Sequence, residues 1–152
     1  MDWMKPIERT DIPEGDNWIY EVKYDGFRCE LNWTDKKIIL TSKNSHDISD
    51  KFPEIVNWCN NNYDYFKNKM PLKLDGELVI LNHQYQANFT LIQARGRMKS
   101  IDRIKKQAAI RPASLMVFDI TEIRGKKLHQ DKLSFRKEIL QQTLDQYLKM
   151  RL

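Results

Sequence analysis

Alternation of apolar and polar residues predicts a β-strand at residues 18–25. Aromatic or apolar side chains occupy every second position of this segment, and three charged residues, Glu21, Lys23 and Asp25, fall between them. Because successive side chains of a strand point to opposite faces, the three charges should share one face and the aromatic residues the other. Gly26 interrupts the pattern directly after this predicted strand.

The rest of the chain has the patterns of a mixed set of strands and helices. Apolar residues at helical spacing predict a helix that Pro53 opens, a helical region that breaks near Ser100, and a last helix from about Ser134. Strand patterns cover 27–33, 37–43, 72–81 and 114–121, and helical patterns cover 53–66 and 88–110. Because strands and helices do not alternate regularly, we predict an α+β domain built on an antiparallel sheet.

Charge and cysteine content set only general limits on function. The chain has 26 Lys and Arg against 21 Asp and Glu, a formal charge of +5 that suits a nucleic-acid or nucleotide partner. Cys29 and Cys59 form no metal-binding spacing with the histidines, which predicts two reduced thiols. The start has no signal pattern and no apolar run could cross a bilayer, so we predict a cytoplasmic protein without a membrane partner.

Residues 23–28, KYDGFR, contain the candidate chemistry. A lysine is a nucleophile only when its amine is neutral, and with an ordinary pKa of about 10.4 roughly one lysine in a thousand is neutral near pH 7.4. Lys23 therefore needs partial burial, a second cation or a metal to lower its pKa. The predicted strand would bury it on an inner face, Gly26 would let a ligand approach the backbone, and Arg28 would offer fixed donors to a phosphate or sugar.

This segment resembles motif I of the covalent nucleotidyltransferases, the superfamily of ATP-dependent DNA ligases, RNA ligases and mRNA capping enzymes. The longer string EVKYDGFR is most similar to DNA ligases, and the resemblance continues in order through TSKNSHDISDKFPEI, LDGELVI, NFTLIQARGR and LMVFDI. It runs from residue 18 to about residue 140 and is closest to the ligase domain of bacterial end-joining ligases. The resemblance implies the antiparallel-sheet nucleotidyltransferase fold, with ATP as cofactor and Mg²⁺ or Mn²⁺ as the metal.

The resemblance also implies a role for each matched residue. Lys23 would attack the α-phosphorus of ATP and become lysyl-AMP. Glu21 would accept a hydrogen bond from the adenine amino group, and Arg28 would contact the nucleotide sugar. Glu77, in the motif III match, would contact the ribose or help to hold the metal. Phe118, in the motif IIIa match, would stack on adenine.

A second group of residues is expected to meet DNA. Lys43 falls where the family usually has an arginine that grips the 5′-phosphate of the nick, and Ser45 falls where that segment usually has glycine. Lysine binds a phosphate as a point charge without the bidentate fork of arginine. Arg95 and Arg97 lie in a basic helical segment, where either a solvated charged face or contact with the DNA backbone is expected.

Two parts of the family pattern do not match this sequence. Motif IV, a strand with an EG dipeptide and a metal-binding glutamate, and motif V, a K-x-K pair, have no counterpart after Phe118. The oligonucleotide-binding domain that normally follows motif V has none either. We therefore expect residues 1–152 to form a partial adenylation domain, with a fold incomplete at the C-terminus.

The functional prediction is the adenylation part of an ATP-dependent DNA ligase. The complete enzyme would transfer AMP from Lys23 to a DNA 5′-phosphate and seal nicks in double-stranded DNA during repair or recombination. An end-binding repair protein is a possible partner. Two alternatives stay open: another covalent nucleotidyltransferase, such as an RNA ligase or a capping enzyme, and a catalytically inactive module that binds nucleotide or DNA.

Overall fold

The structure, a computed structural model, describes the backbone of residues 3–148; the predictions for residues 1–2 and 149–152 lie outside it. Its strands are β1 (Phe27–Trp33), β2 (Ile38–Ser42), β3 (Leu72–Val79), β4 (Leu81–His83), β5 (Gln86–Ala87), β6 (Ser114–Ile123) and β7 (Lys126–Lys127). Its helices are α1 (Pro53–Asn61), α2 (Tyr63–Phe66), α3 (Phe89–Arg97), α4 (Ile101–Ile110) and α5 (Leu133–Leu148), and single 3-10 turns cover Ser49–Lys51 and Lys67–Lys69.

Five of these strands form one antiparallel sheet in the order β2-β1-β3-β6-β7, with β3 at its centre. The strands β4 and β5 pair separately as a small antiparallel hairpin. The predicted α+β class and antiparallel sheet are confirmed. A turn joins β1 to β2, closed by the Thr34 amide donating to the Lys37 carbonyl at 2.9 Å.

The apolar face of the sheet builds the core together with the helices. Leu31 and Trp33 of β1 and Leu72 and Leu74 of β3 are buried on this face, two positions apart within each strand as strand geometry requires. The other buried side chains of the cluster include Phe52, Ile55, Cys59, Phe66, Ile92 and Leu140. Each large apolar side chain buried in this way contributes about 1.5–3 kcal/mol relative to exposure. The opposite face of β1, β3 and β6 is therefore left for polar residues.

Local sequence signals explain where the helices begin. Pro53 occupies the first turn of α1, where its missing amide proton removes no helical bond. The Asn88 side chain caps α3 by accepting from the Leu91 amide, and the Ser100 side chain caps α4 by accepting from the Arg103 amide. The predicted break near Ser100 is confirmed. Asn62 interrupts the helix predicted over 53–66 and divides it into α1 and α2.

The predicted strand over residues 18–25 is wrong. The backbone there has no strand assignment, and β1 begins only at Phe27. The neighbours of β1 end at this point, because Phe27 pairs with Leu78 next to the end of β3 and Ser42, the end of β2, pairs with Cys29. A segment beyond both neighbours has no ladder to satisfy its amides and carbonyls, so alternation alone does not make it a strand.

Candidate functional site

Three of the predicted site residues lie on the polar face of the sheet. Arg28 of β1 and Glu77 of β3 are directly paired across the two strands. Phe118 lies at an irregularity of β6, because Asp119 pairs with Asp75 while Val117 pairs with Gly76, so Phe118 is the extra residue. Such a β-bulge re-aims a side chain, and here it brings the Phe118 ring to the same face as Arg28.

The Arg28 guanidinium contacts one carboxylate and two aromatic rings. Its Nε and Nη2 donate to the two carboxylate oxygens of Asp75 at 3.2 and 2.7 Å. Its Cζ lies 5.4 Å from the Phe118 ring centroid and 4.7 Å from that of Trp3. Burial raises the pKa of Asp75, while the hydrogen bonds from Arg28 act in the opposite direction. Arg28 is thus a fixed cation with limited exposure, 17% of its side chain.

Glu77 joins the segment that precedes β1 to the centre of the sheet. Its Oε1 accepts a hydrogen bond from the Gly26 amide at 3.0 Å. Burial raises the pKa of Glu77, and the Gly26 amide, Lys23 and Arg28 partly offset that rise. The approach at Gly26 is close, because a Cβ there would lie 2.0 Å from the Leu78 carbonyl oxygen. Packing therefore requires Gly26, while ligand access, the reason that the sequence suggested, stays a prediction.

Lys23 is exposed rather than buried, contrary to the expectation from the strand pattern. Its side chain is 86% exposed, and its Nζ donates to Asp25 Oδ1 at 2.7 Å. The hydrogen bond and charge of Asp25 raise the pKa of Lys23, with a smaller contribution from Glu77. The physical reason is the missing strand: the segment extends past the sheet, so nothing covers the lysine. In this state, the amine is a protonated cation next to a carboxylate.

Glu21 meets a residue that sequence reasoning missed. Lys137, in α5, donates from its Nζ both to Glu21 Oε1 and to the backbone carbonyl of Phe118. This amine joins the segment before β1, the bulge in β6 and helix α5. Lys137 carries no motif signal, since a lysine in a helix with several charges is typical of a solvated face. The structure reveals these two contacts, and they leave only 16% of the Lys137 side chain exposed.

A second buried ion pair lies beside the first and also escaped the sequence analysis. Arg136 Nε and Nη2 donate to the two oxygens of Asp119 at 2.9 and 2.8 Å, and both side chains are more than nine-tenths buried. The hydrogen bond that Arg136 donates to Asp119 is the main cause of a raised Arg136 pKa. Because Asp119 pairs with Asp75 across β3 and β6, the two acidic residues lie on adjacent strands, each neutralised by its own arginine.

Lys43 lies in the exposed turn that follows β2, at the end of the sheet where β1 begins. Ser45 in this turn has a φ of 62°. That left-handed conformation favours glycine, which accounts for the glycine that the related motif carries at this position. Lys43 is exposed, which fits both the predicted contact with a DNA phosphate and an ordinary solvated lysine in a loop.

Arg95 is buried in an ion pair, so both expectations for it, a solvated face and a DNA contact, are wrong. It is 1% exposed; its Nη1 donates to Glu54 Oε1 at 2.7 Å and its Nη2 donates to the Arg111 carbonyl at 2.9 Å. The same Glu54 oxygen accepts from the Ala113 amide at 2.8 Å. Arg95 therefore joins α1, α3 and the chain before β6. Arg97 is exposed and remains a candidate for DNA contact.

The donor set is compatible with a metal that arrives with a nucleotide. Within residues 3–145, no group of three or more His, Cys, Asp or Glu side chains forms a metal cluster. Glu77 is the predicted metal ligand, and its half-buried carboxylate uses Oε1 to accept from Gly26, which leaves accepting capacity on Oε2. Mg²⁺ is commonly bound by one or two carboxylates plus substrate phosphates, so Glu77 with a triphosphate would suffice.

Two further features concern the cysteines and the lengths of the helices. Cys29 and Cys59 are free thiols, as predicted, and both are buried. Burial raises the pKa of the Cys59 thiol to about 12. Over the part of the chain that the structure describes, every helix is too short or too polar to cross a membrane.

The comparisons with known proteins agree with this fold. The sequence profile described as ATP dependent DNA ligase domain matches residues 4–151. The chain therefore belongs to the ATP-dependent DNA ligase domain family. It is 39% identical over 122 residues to the bifunctional non-homologous end joining protein LigD of Bacillus subtilis (strain 168), covering 80% of this chain and 20% of that protein. It is 30% identical over 125 residues to a DNA ligase of Thermoplasma volcanium, again covering 80% and 20%.

Solved structures share the fold. A mycobacterial DNA ligase D complexed with ATP and MES aligns with a TM-score of 0.64 at 21% identity, covering 82% of this chain and 36% of that one. The ligase domain of LigD from M. tuberculosis aligns with a TM-score of 0.63 at 21% identity, covering 83% and 36%. These comparisons confirm the predicted nucleotidyltransferase fold. The chain spans about one fifth of the length of the two curated relatives above.

Proposed function

We propose that Lys23 reacts with ATP to form lysyl-AMP, as the first step of DNA ligation. The observation that carries the proposal is the hydrogen bond between the Gly26 amide and Glu77, which ties the Lys23 segment to the polar face that holds Arg28 and Phe118. The description of the matching family, ATP dependent DNA ligase domain, and the solved ligase D complexed with ATP support the choice of nucleotide.

The chemical step needs a neutral amine. The lone pair of Lys23 Nζ attacks the α-phosphorus, a P–N bond forms, the bond to the pyrophosphate oxygen breaks, and the amine releases its proton. Asp25, 2.7 Å from the amine, is placed to take that proton. A divalent cation bound with the triphosphate would screen its charge and favour the neutral amine. Closer contact with the nucleotide would also remove Lys23 from water.

The other site residues have binding roles in this proposal. The Phe118 ring stacks on the adenine, Glu21 accepts from its amino group, and Arg28 donates to the sugar. Glu77 contacts the ribose or the Mg²⁺ or Mn²⁺ ion. Arg28 currently covers the Phe118 ring, so an adenine must either stack on the face away from Arg28 or displace Trp3 and Arg28 from their present positions.

The later steps are proposed from the family alone. AMP would pass from Lys23 to the 5′-phosphate of nicked double-stranded DNA, Lys43 would hold that phosphate, and the nick would be sealed. A cytoplasmic protein that joins broken DNA beside an end-binding partner agrees with the end-joining name of the Bacillus subtilis relative. Repair or recombination would be the context.

Intact-mass spectrometry after incubation with ATP and Mg²⁺ tests the proposal. We expect a mass gain of one AMP that maps to Lys23 and is absent from Lys23→Ala. Lys5→Ala, which removes an exposed lysine from the segment before β1, should still gain the AMP. An adduct that persists in Lys23→Ala would refute the site assignment. The same incubation with GTP in place of ATP separates two classes of enzyme. A DNA ligase should form the adduct with ATP, and a capping enzyme should form it with GTP.

One observation favours a second candidate, a module that binds nucleotide or DNA without catalysis. The exposed Lys23, whose pKa Asp25 raises, is not activated by the contacts that the structure shows. In that case, ATP would bind with a measurable Kd, and no adduct would form at any pH between 7 and 9.

A further inference from the structure

The ammonium group of Lys137 links two residues to which the proposed function gives the recognition of adenine. From α5 it donates to the carboxylate of Glu21 and to the backbone carbonyl of Phe118. The amine is largely buried, with 16% of the side chain exposed, whereas Glu21 is 50% exposed. A partly desolvated ammonium ion with two oxygen acceptors has a defined position.

The Phe118 carbonyl is available to Lys137 because of the bulge in β6. The β3 ladder pairs Asp75 with Asp119 and Gly76 with Val117, and it passes over Phe118. A bulged residue is left out of the regular ladder, so its polar backbone groups need other partners. Lys137 supplies one, and it thereby fixes the bulge that turns the Phe118 ring towards Arg28.

Glu21 depends on Lys137 because its own backbone is irregular. Residues 18–25 have no strand assignment, and Trp18, Tyr20 and Val22 are exposed at 47%, 62% and 57%. Side-chain contacts tie this segment to the body of the protein, through Lys137 at Glu21 and through Glu77 at the Gly26 amide. Loss of the first contact would leave the Glu21 carboxylate free to move relative to Phe118.

We infer that Lys137 is a positioning residue that sets the choice of base, an inference that rests on the proposed function. It holds the Glu21 carboxylate at a fixed offset from the Phe118 ring, so that a stacked base presents its edge to Glu21. An ionised carboxylate only accepts hydrogen bonds. Adenine offers an amino donor at the position where guanine has a carbonyl acceptor, so a fixed Glu21 favours ATP and disfavours GTP.

Nucleotide affinities test this inference when they are measured in a variant that lacks Lys23, because no AMP adduct can form there. In the Lys23→Ala background, Kd values for ATP and GTP are measured for Lys137→Met, which keeps the stem length but loses the donors, and for Lys137→Arg. Lys137→Met should lower the preference for ATP over GTP about tenfold, the affinity that corresponds to one hydrogen bond. Lys137→Arg should restore most of that preference. Lys132→Met, which removes an exposed lysine beside α5, should match the parent.

The double variant separates positioning from a general structural effect. In a Glu21→Ala background the preference is already lost, so Lys137→Met should change it no further. Two outcomes would overturn the inference. One is an equal loss of ATP and GTP affinity in Lys137→Met, and the other is a further fall of the ATP preference when Lys137→Met is added to Glu21→Ala. If Lys137→Met does not fold, Lys137→Arg and Glu21→Ala make the same comparison. Lys137→Arg must keep the preference for ATP over GTP, and Glu21→Ala must lower it.

Failure of the inference and failure of the proposed function give different results. A wild-type chain that binds ATP but forms no adduct contradicts the function, and the affinity ratios still decide the role of Lys137. A wild-type chain that forms the adduct while Lys137→Met keeps the parental ratio contradicts only the inference. A chain that binds neither nucleotide contradicts both.

Discussion

At the residue scale, the carboxylate of Glu77 has a structural role in addition to its proposed chemical role. It accepts from the Gly26 amide, and so it fixes the start of the segment that contains Lys23. It also faces Arg28 and lies within electrostatic range of Lys23, as the causes of its pKa shift indicate. Burial opposes its charge, and such an acid is retained in a fold more readily when it serves a ligand.

The raised pKa of Glu77 predicts a pH dependence of stability. The native state holds the Glu77 proton more tightly than the unfolded chain, so the free energy of unfolding falls as pH rises from the ordinary glutamate pKa, about 4.3, to the raised value. Above the raised pKa, the loss of unfolding free energy that Glu77 causes no longer changes with pH. Glu77→Gln keeps an acceptor for Gly26 and removes the titration. Urea unfolding between pH 3.5 and 7.5 should show the variant gaining stability relative to the wild type across that window; parallel profiles would contradict the assignment.

At the element scale, the join between the segment 18–25 and β1 depends on Gly26. A Cβ at this position would lie 2.0 Å from the backbone oxygen of Leu78, which cannot move without disturbing the β1–β3 ladder. Gly96 in α3 offers a contrast, because a Cβ there would lie 2.6 Å from an atom at the edge of the Phe27 ring, and a side chain can rotate. Contact with backbone and contact with a flexible side chain should have different costs.

We expect Gly26→Ala to be the more damaging of two matched substitutions. It should lower the free energy of unfolding by about 2 kcal/mol or more and reduce AMP-adduct formation, because β1 and β3 must separate beside Glu77. Gly96→Ala gains about 1 kcal/mol of helix propensity, which offsets the shift of Phe27. Urea denaturation and adduct yield measure both effects. Equal losses in the two variants would show that the backbone contact at Gly26 does not control the site.

Local signals in the sequence predicted the elements whose causes are local. Pro53 and Ser100 specify helix starts through their own backbone and side-chain chemistry, and both predictions are confirmed. The error at residues 18–25 has a non-local cause, since strand formation there needs neighbours that end at Val79 and Ser42. Alternation describes a face, and it does not show whether another strand lies alongside.

The candidate site divides in the same way. Motif order identified Arg28, Glu77 and Phe118, and the structure places these three on one face. Contacts between distant residues could not be read from the chain: Glu54, the partner of Arg95, lies 41 residues earlier, and Lys137 is 116 residues from Glu21. A basic segment does not reveal which of its arginines is buried.

At the scale of the whole molecule, paired buried charges connect α5 and the sheet around the site. Arg28 neutralises Asp75 on β3, and Arg136 of α5 neutralises Asp119 on the neighbouring strand β6. The hydrophobic contacts of Leu140 and Leu144 dock the rest of α5 on the core. The position of Lys137, one residue after Arg136, depends on this docking. We therefore expect stability and the proposed nucleotide recognition to be coupled through α5.

Arg136→Met tests how α5 is held on the sheet. It leaves the Asp119 carboxylate buried without its partner, so we expect the free energy of unfolding to fall by about 3–5 kcal/mol. The double variant Arg136→Met/Asp119→Leu removes both charges and should recover most of that loss, because an apolar pair has no desolvation penalty. Urea denaturation at pH 7 measures both. A double variant as unstable as the single one would show that Arg136 stabilises α5 through its contacts with the Asp131 carbonyl and Met4, and not through Asp119.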